Sequence, residues 1–242
     1  MTFKDELQLG QIDRSRVRGL LFDIDGTLSD TDDLMVNRLA KIIHPLGWLL
    51  NGDRDVRPIA RRLVMAAESP GNLIYNLVDR LGLDNLIAKL FSSHARKKKF
   101  KKGQFLLIPE VQPMLESLRP HFKLGVVSAR DAVSTDAFLE FFGLTDLFDV
   151  IVTGQTCLRT KPFPDPVAFA AESMGLKPEE CVMIGDTVVD IKAGKGAGAQ
   201  TVGVLCGFGT FHEIKRAAPD LILSTTRHLS KILLTEGPGE TL

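Results

Sequence analysis

Residues 22–30 read Phe22-Asp23-Ile24-Asp25-Gly26-Thr27-Leu28-Ser29-Asp30, directly after the apolar run Gly19-Leu20-Leu21. Three aspartates fall in nine residues, and two of them flank a single isoleucine. An apolar strand that ends in paired acids and a Gly-Thr turn is an uneconomical way to begin a stable domain. Taken alone, Asp25-Gly26-Thr27 reads as a turn. The rest of the chain decides whether it is more.

Four further apolar runs end in the same manner. Lys123-Leu124-Gly125-Val126-Val127 stops at Ser128, and Phe148-Asp149-Val150-Ile151-Val152 stops at Thr153-Gly154. Cys181-Val182-Met183-Ile184 stops at Gly185-Asp186, and Thr201-Val202-Gly203-Val204-Leu205 stops at Cys206-Gly207. Leu221-Ile222-Leu223 offers a sixth short strand. Short runs rich in β-branched residues are the pattern of strands buried on both faces. Helical patterns lie between them at 110–119, 133–142, 166–174 and 188–197, so strands and helices alternate. That alternation predicts an α/β fold, a Rossmann-like parallel sheet with helices on both faces. Residues 1–16 are polar and read as an irregular lead-in.

The stretch 31–105 breaks the rhythm. It carries helical patterns over 33–47, 56–68, 72–90 and 92–102 and no strand, and it is far too long for one crossover. The expected organisation is a core of residues 1–30 and 106–242 with an all-helical second domain inserted at 31–105. The joints expected to act as hinges are 29–33 and 103–109. The insertion holds a basic run, Arg96-Lys97-Lys98-Lys99-Phe100-Lys101-Lys102, and the arginines Arg54, Arg57, Arg61 and Arg62. The run reads first as a solvated helix face.

Composition limits the function. The chain has 242 residues, with 30 Lys+Arg against 30 Asp+Glu, a balance that argues against a dedicated nucleic-acid binder. Three cysteines without C-x-x-C spacing give neither a disulfide framework nor a zinc site. No run approaches the roughly 18 apolar residues of a membrane span, and the start of the chain has no signal-peptide pattern. A cytoplasmic protein without membrane association is the expectation.

In open parallel sheets, ligands sit outside the carboxyl ends of the strands, near the point where strand order reverses. Those ends carry Asp23 and Asp25, Ser128, Gly185-Asp186, and Asp190 one step further on. Lys161 follows the strand at 148–152 in the proline-rich loop Lys161-Pro162-Phe163-Pro164-Asp165-Pro166. Converging carboxylates repel one another unless a cation is present, and Mg²⁺ prefers such hard oxygen ligands. A lysine and a hydroxyl beside them suit a phosphate. Backbone N–H groups of the Gly26-Thr27 turn and after Ser128 are further candidate donors. An aspartate can attack phosphorus, while a second carboxylate moves the proton.

These residues also carry a family resemblance. Asp23-Ile24-Asp25-Gly26-Thr27-Leu28 resembles the first motif of the haloacid dehalogenase superfamily. Ser128 in VVSAR resembles its second motif, Lys161 in KPFPDP its third, and Gly185-Asp186-Thr187-Val188-Val189-Asp190 its fourth. A lone D-x-D is weak, but the four come in the family's order over residues 18–207. The insertion is similar to the C1 cap of the branch holding phosphoglycolate-phosphatase-like and β-phosphoglucomutase-like enzymes.

The resemblance implies roles. Asp23 is the nucleophile. Asp25 is the acid/base, and its backbone carbonyl binds Mg²⁺. Gly26, Thr27, Ser128 and Ala129 bind phosphate, with Lys161 neutralising both the phosphate and Asp23. Asp23, Asp25, Asp186 and Asp190 form the metal set. An aspartate two residues after the nucleophile is the phosphatase and phosphomutase choice. The implied function is a Mg²⁺-dependent phosphatase acting on a small phosphorylated metabolite through an aspartyl-phosphate. A phosphomutase, and a non-catalytic phosphate-binding protein on the same scaffold, remain open here. Two departures from the pattern stand out. Ala129-Arg130 replaces the usual polar neighbour of the second-motif hydroxyl, and the helix after the fourth motif is rich in glycine, which lowers helix stability.

Overall fold

The computed structural model of the chain describes residues 8–30 and 105–235. Within them the apolar runs become strands. These are β1 (Gln8–Gly10), β2 (Gly19–Phe22), β3 (Lys123–Val127), β4 (Val150–Val152), β5 (Cys181–Gly185), β6 (Gln200–Val204) and β7 (Leu221–Leu223). They form one seven-stranded sheet in the order β1-β7-β6-β5-β2-β3-β4. All neighbours are parallel except β1, which pairs antiparallel to β7. The expectation of an irregular lead-in is corrected here. Residues 8–10 are a strand, joined by backbone pairing at an exposed sheet edge, so no apolar alternation marks them.

Both faces of the central strands are covered. Leu21, Val127, Val152, Cys181 and Met183 pack on one side with Val167, Ala170, Ala171 and Ala193. Leu20, Phe22, Leu124, Val126, Val182 and Ile184 are buried on the other side. Each fully buried aliphatic or aromatic side chain contributes about 1.5–3 kcal/mol. The pattern explains why these strands read as unbroken apolar runs.

The connecting helices are α1 (Val111–Leu118), α2 (Ala132–Phe141), α3 (Asp165–Ser173), α4 (Val188–Ala197), α5 (Phe211–Ala217) and α6 (Leu229–Leu234). Helix α1 buries Val111, Met114, Leu115 and Leu118, the i, i+3, i+4, i+7 stripe of an amphipathic helix. Asp131 caps α2 through a bond from the Ser134 N–H at 2.9 Å. Helices α5 and α6 were not expected from the sequence. The glycine-rich helix α4 has a packing reason: a Cβ on Gly194 would lie 2.7 Å from Thr201 and 2.8 Å from Met183. Glycine there lets the helix lie close against β5 and β6.

The chain divides into two units, Met1–Asp30 with Leu106–Leu242, and Thr31–Phe105. The helices expected within 31–105, the basic run and the four arginines lie outside the described residues. Where the first unit is interrupted, the two passing segments pair. Asp30 N donates to Leu106 O and Ile108 N to Leu28 O, both at 2.9 Å, and Ser29 Oγ donates to Leu106 O at 3.1 Å. Residues 28–30 and 106–108 are therefore a bonded ladder, and residues 29–30 and 106–108 of the expected hinges fall within it.

Candidate active site

The order of the sheet places the reversal at its centre. From β2 the chain moves outward to β3 and β4, then returns to β5 on the other side of β2. Phe22 is in register with Val126 of β3 and Ile184 of β5. The next residue, Asp23, thus emerges between the ends of both neighbours, beside Ser128 and Asp186. The Asp23 N–H is held by Ile184 O at 2.9 Å, which continues the ladder one step beyond the strand.

Asp23, Asp186 and Asp190 are all buried, and one carboxylate oxygen from each lies within 4.8 Å of the others. Lys161 reaches the same point from the loop after β4. Its Nζ donates to Asp23 Oδ1 at 2.7 Å and Asp190 Oδ1 at 2.6 Å. Three buried carboxylates thus face one buried ammonium. Burial, with Asp190 and Asp25 nearby and Lys161 opposing, pushes Asp23 up to about 7. Burial, with Asp190 and Asp23, pushes Asp186 well above the carboxylate range. Burial alone would depress the Lys161 ammonium, but Asp190 and Asp23 outweigh it and hold it above its ordinary value. A pocket whose excess negative charge forces carboxylates toward neutrality fits a divalent cation, which would remove that penalty.

Asp186 sits in a cradle. Its Oδ2 accepts from the Phe208 N–H at 2.7 Å, and its Oδ1 accepts from Thr27 Oγ1 at 3.3 Å. Gly26, with φ +73°, and Gly207 close the cradle. A Cβ on either would fall 2.1–2.2 Å from Asp186 Oδ2. The Gly-Thr turn is a turn in full: Gly26 N donates to Ser29 O at 2.9 Å and Thr27 N to Ile24 O at 3.2 Å. These two N–H groups, expected as phosphate donors, are engaged within the turn itself.

Asp190 is both a cap and an ion-pair partner. Its Oδ2 accepts from Thr187 N at 3.0 Å and Thr187 Oγ1 at 2.6 Å, closing the capping box of α4, while its Oδ1 holds Lys161. Both oxygens are occupied by protein donors. Ser128 is buried at the end of β3, and its Oγ accepts from Arg130 N at 3.1 Å. Ala129 lies exposed beside it, its carbonyl against Gly154. Asp25 stands apart from the acid cluster and is paired with Arg130, whose Nε and Nη2 meet its two oxygens at 2.7 and 2.5 Å.

The contributors not expected from sequence lie after β6 and β7. Phe208 N–H and Gly207 shape the Asp186 cradle, Cys206 Sγ approaches Gly26 O at 3.3 Å, and Thr226 Oγ1 donates to Thr27 O at 2.7 Å. Applying the strand-end rule to β6 as well would have found residues 206–208.

Fold and site together define a doubly wound α/β protein with a carboxylate–lysine centre at its switch point. The chain belongs to the haloacid dehalogenase-like hydrolase family, whose profile matches residues 20–204. Among curated relatives, it is 26% identical over 230 residues to the phosphoglycolate phosphatase of Nitrosococcus oceani, covering 88% of this chain and 95% of that one. It is 28% identical over 224 residues to pyrophosphatase PpaX of Bacillus velezensis, covering 90% and 96%. A solved structure from Clostridium acetobutylicum, described as a predicted phosphatase, superimposes with TM-score 0.64 at 25% identity over 90% of this chain and 98% of the other. Among the described residues, no helix is long and apolar enough to cross a membrane.

Proposed function

We propose that the protein is a Mg²⁺-dependent phosphatase that hydrolyses a small phosphorylated metabolite through an aspartyl-phosphate on Asp23. The observation that carries this reading is the Lys161 ammonium bridging Asp23 and Asp190 beside Asp186, with Asp25 two residues further along the chain. The relatives named phosphoglycolate phosphatase and pyrophosphatase support it, since both names describe release of phosphate from small anions.

In the proposed reaction, an Asp23 oxygen attacks phosphorus and the bond to the leaving oxygen breaks. Asp25 hands its proton to that oxygen. Water then attacks the phosphoryl group of the aspartyl-phosphate while Asp25 takes its proton. Inorganic phosphate leaves and the Asp23 carboxylate is restored. Lys161 offsets charge on Asp23 and the transferring group, and the Ser128 hydroxyl holds a phosphate oxygen in this reading. Mg²⁺ would be held by Asp23 and Asp186, with Asp190 orienting Lys161 and adding charge, and it supplies neutralisation of the phosphate oxygens. We assign 31–105 as a helical cap that selects the substrate.

The test is inorganic phosphate release from a panel of phosphorylated metabolites, with and without Mg²⁺. Turnover should need the metal and vanish in Asp23→Ala. Undiminished turnover in that variant rejects the mechanism. Isomerised sugar phosphate without free phosphate points to a mutase instead.

A further inference from the structure

The geometry points to Arg130 as a positioning residue that sets the orientation of Asp25 for proton transfer, an inference that rests on the phosphatase reading above. Asp25 is not part of the buried acid cluster, which comprises Asp23, Asp186 and Asp190. Its side chain keeps 32% of its surface exposed. An exposed carboxylate ordinarily rotates about its own bonds, and a proton donor that rotates is a poor one. Arg130 removes that freedom. Its Nε and Nη2 engage the two carboxylate oxygens together, and a two-point bond fixes the plane of the carboxylate as well as its place. The same bond favours the ionised carboxylate, the form that takes the proton from water in the second half of the proposed reaction.

Arg130 is itself braced. Its guanidinium lies 5.2 Å from the centre of the Phe138 ring, and Phe138 is fully buried in α2. Its backbone is held at both ends: N–H to Ser128 Oγ at 3.1 Å, and carbonyl accepting from Gly154 N at 2.8 Å. A rigid column therefore runs from the core aromatic through the guanidinium to the acid. The cation that bonds Asp23 and Asp190 is Lys161, whereas the two-point bond of Arg130 goes to Asp25. Lysine at 130 would supply charge but only one point of attachment. The residue also stands where the second motif departs from its usual form.

The experiment compares substrates that differ in their need for a proton donor. Phosphoglycolate releases an alkoxide that must be protonated, whereas 2,4-dinitrophenyl phosphate releases a stable phenolate. Wild type, Asp25→Asn, Arg130→Met, Arg130→Lys and the Arg130→Met/Asp25→Asn double variant are assayed with Mg²⁺, each checked by thermal melting. General acid–base groups contribute about 10²–10⁴-fold, so misplacing Asp25 in Arg130→Met should cost about 10–100-fold in kcat on phosphoglycolate and under about 3-fold on the dinitrophenyl ester. KM should stay within about 2-fold, and Arg130→Lys should recover part of the loss. The double variant should be no slower than Asp25→Asn, since both changes act through one group. Equal losses on both substrates, a change confined to KM, a gain in rate, or losses that multiply in the double variant would each overturn the inference. If Arg130→Met does not fold, Arg130→Lys carries the same comparison. If Asp25→Asn shows the leaving-group dependence and the Arg130 variants do not, only this inference falls. If wild type releases phosphate from neither ester nor from the metabolite panel, the phosphatase reading falls and takes this one with it.

Discussion

Lys161 is the residue on which the site's electrostatics turn. Its ammonium is the partner of two buried carboxylates, and a third lies within reach of both. Replacing it by methionine keeps much of the volume and removes the charge, leaving the acids uncompensated. Breaking a buried ion pair from one side typically costs about 3–5 kcal/mol. Lys161→Met should therefore lower stability by about that amount in urea denaturation without divalent cation, and Mg²⁺ should recover part of it. An unchanged midpoint would show that the carboxylates are neutral already. This residue was legible in the sequence only through the motif it belongs to. Its two partners are 138 and 29 positions away, and no local pattern links them. The same holds for Arg130, which sequence reading singled out as a departure without finding Asp25 as its partner, 105 positions earlier. Local spacing names candidate residues, but contacts between strand ends depend on the strand order, which spacing does not fix.

Helix α4 shows how one element serves both stability and the site. Its first turn holds Thr187 and Asp190 in a capping box, and the same Asp190 carboxylate turns its other oxygen to Lys161. Capping substitutions cost about 0.5–2 kcal/mol, so Thr187→Ala should destabilise the protein by about 1 kcal/mol. It should also lower phosphatase activity, because it frees the carboxylate that orients the lysine. Thermal melting and a phosphate-release assay on the same preparation check both halves; a stability loss with full activity would separate the cap from the site. At this scale the sequence was largely readable. The apolar runs at 19–22, 123–127 and 181–184 became central strands because burial on both faces leaves little room for polar residues. Strand β1 escaped notice because an exposed edge is held by backbone bonds. Strand β4 proved shorter than its apolar run: Asp149 takes the Leu124 N–H on its side chain at 2.9 Å, standing in for one rung of the ladder. Helix α5 was missed although Thr210 and Glu213 form a capping box, a start signal present in the sequence.

Across the whole molecule, the acid cluster ties folding stability to pH and metal. Asp23 titrates near 7 in the folded chain against an ordinary value of 3.8. The folded state thus holds a proton that the unfolded chain gives up, so this group's contribution is fully present below about pH 4 and is lost as pH rises through about 7. Metal-free protein should melt at falling temperature between about pH 4 and 7, and Asp23→Asn should flatten that slope. Mg²⁺ should raise the melting temperature more at pH 7.5 than at pH 5, because its ligands must be deprotonated. A wild-type slope equal to that of Asp23→Asn would reject the assignment.

The ladder between residues 28–30 and 106–108 has a wider meaning. Asp30 and Leu106 are bonded neighbours, although 75 residues separate them along the chain. The first unit therefore joins its two segments to each other by backbone bonds of its own, and that joint makes no demand on the length or make-up of what is spliced in. A short reverse turn from 30 to 106 would join the same two rungs. In evolutionary terms the ladder is a socket: what is spliced in between residues 30 and 106 can be exchanged or enlarged at one address while the first unit keeps its register.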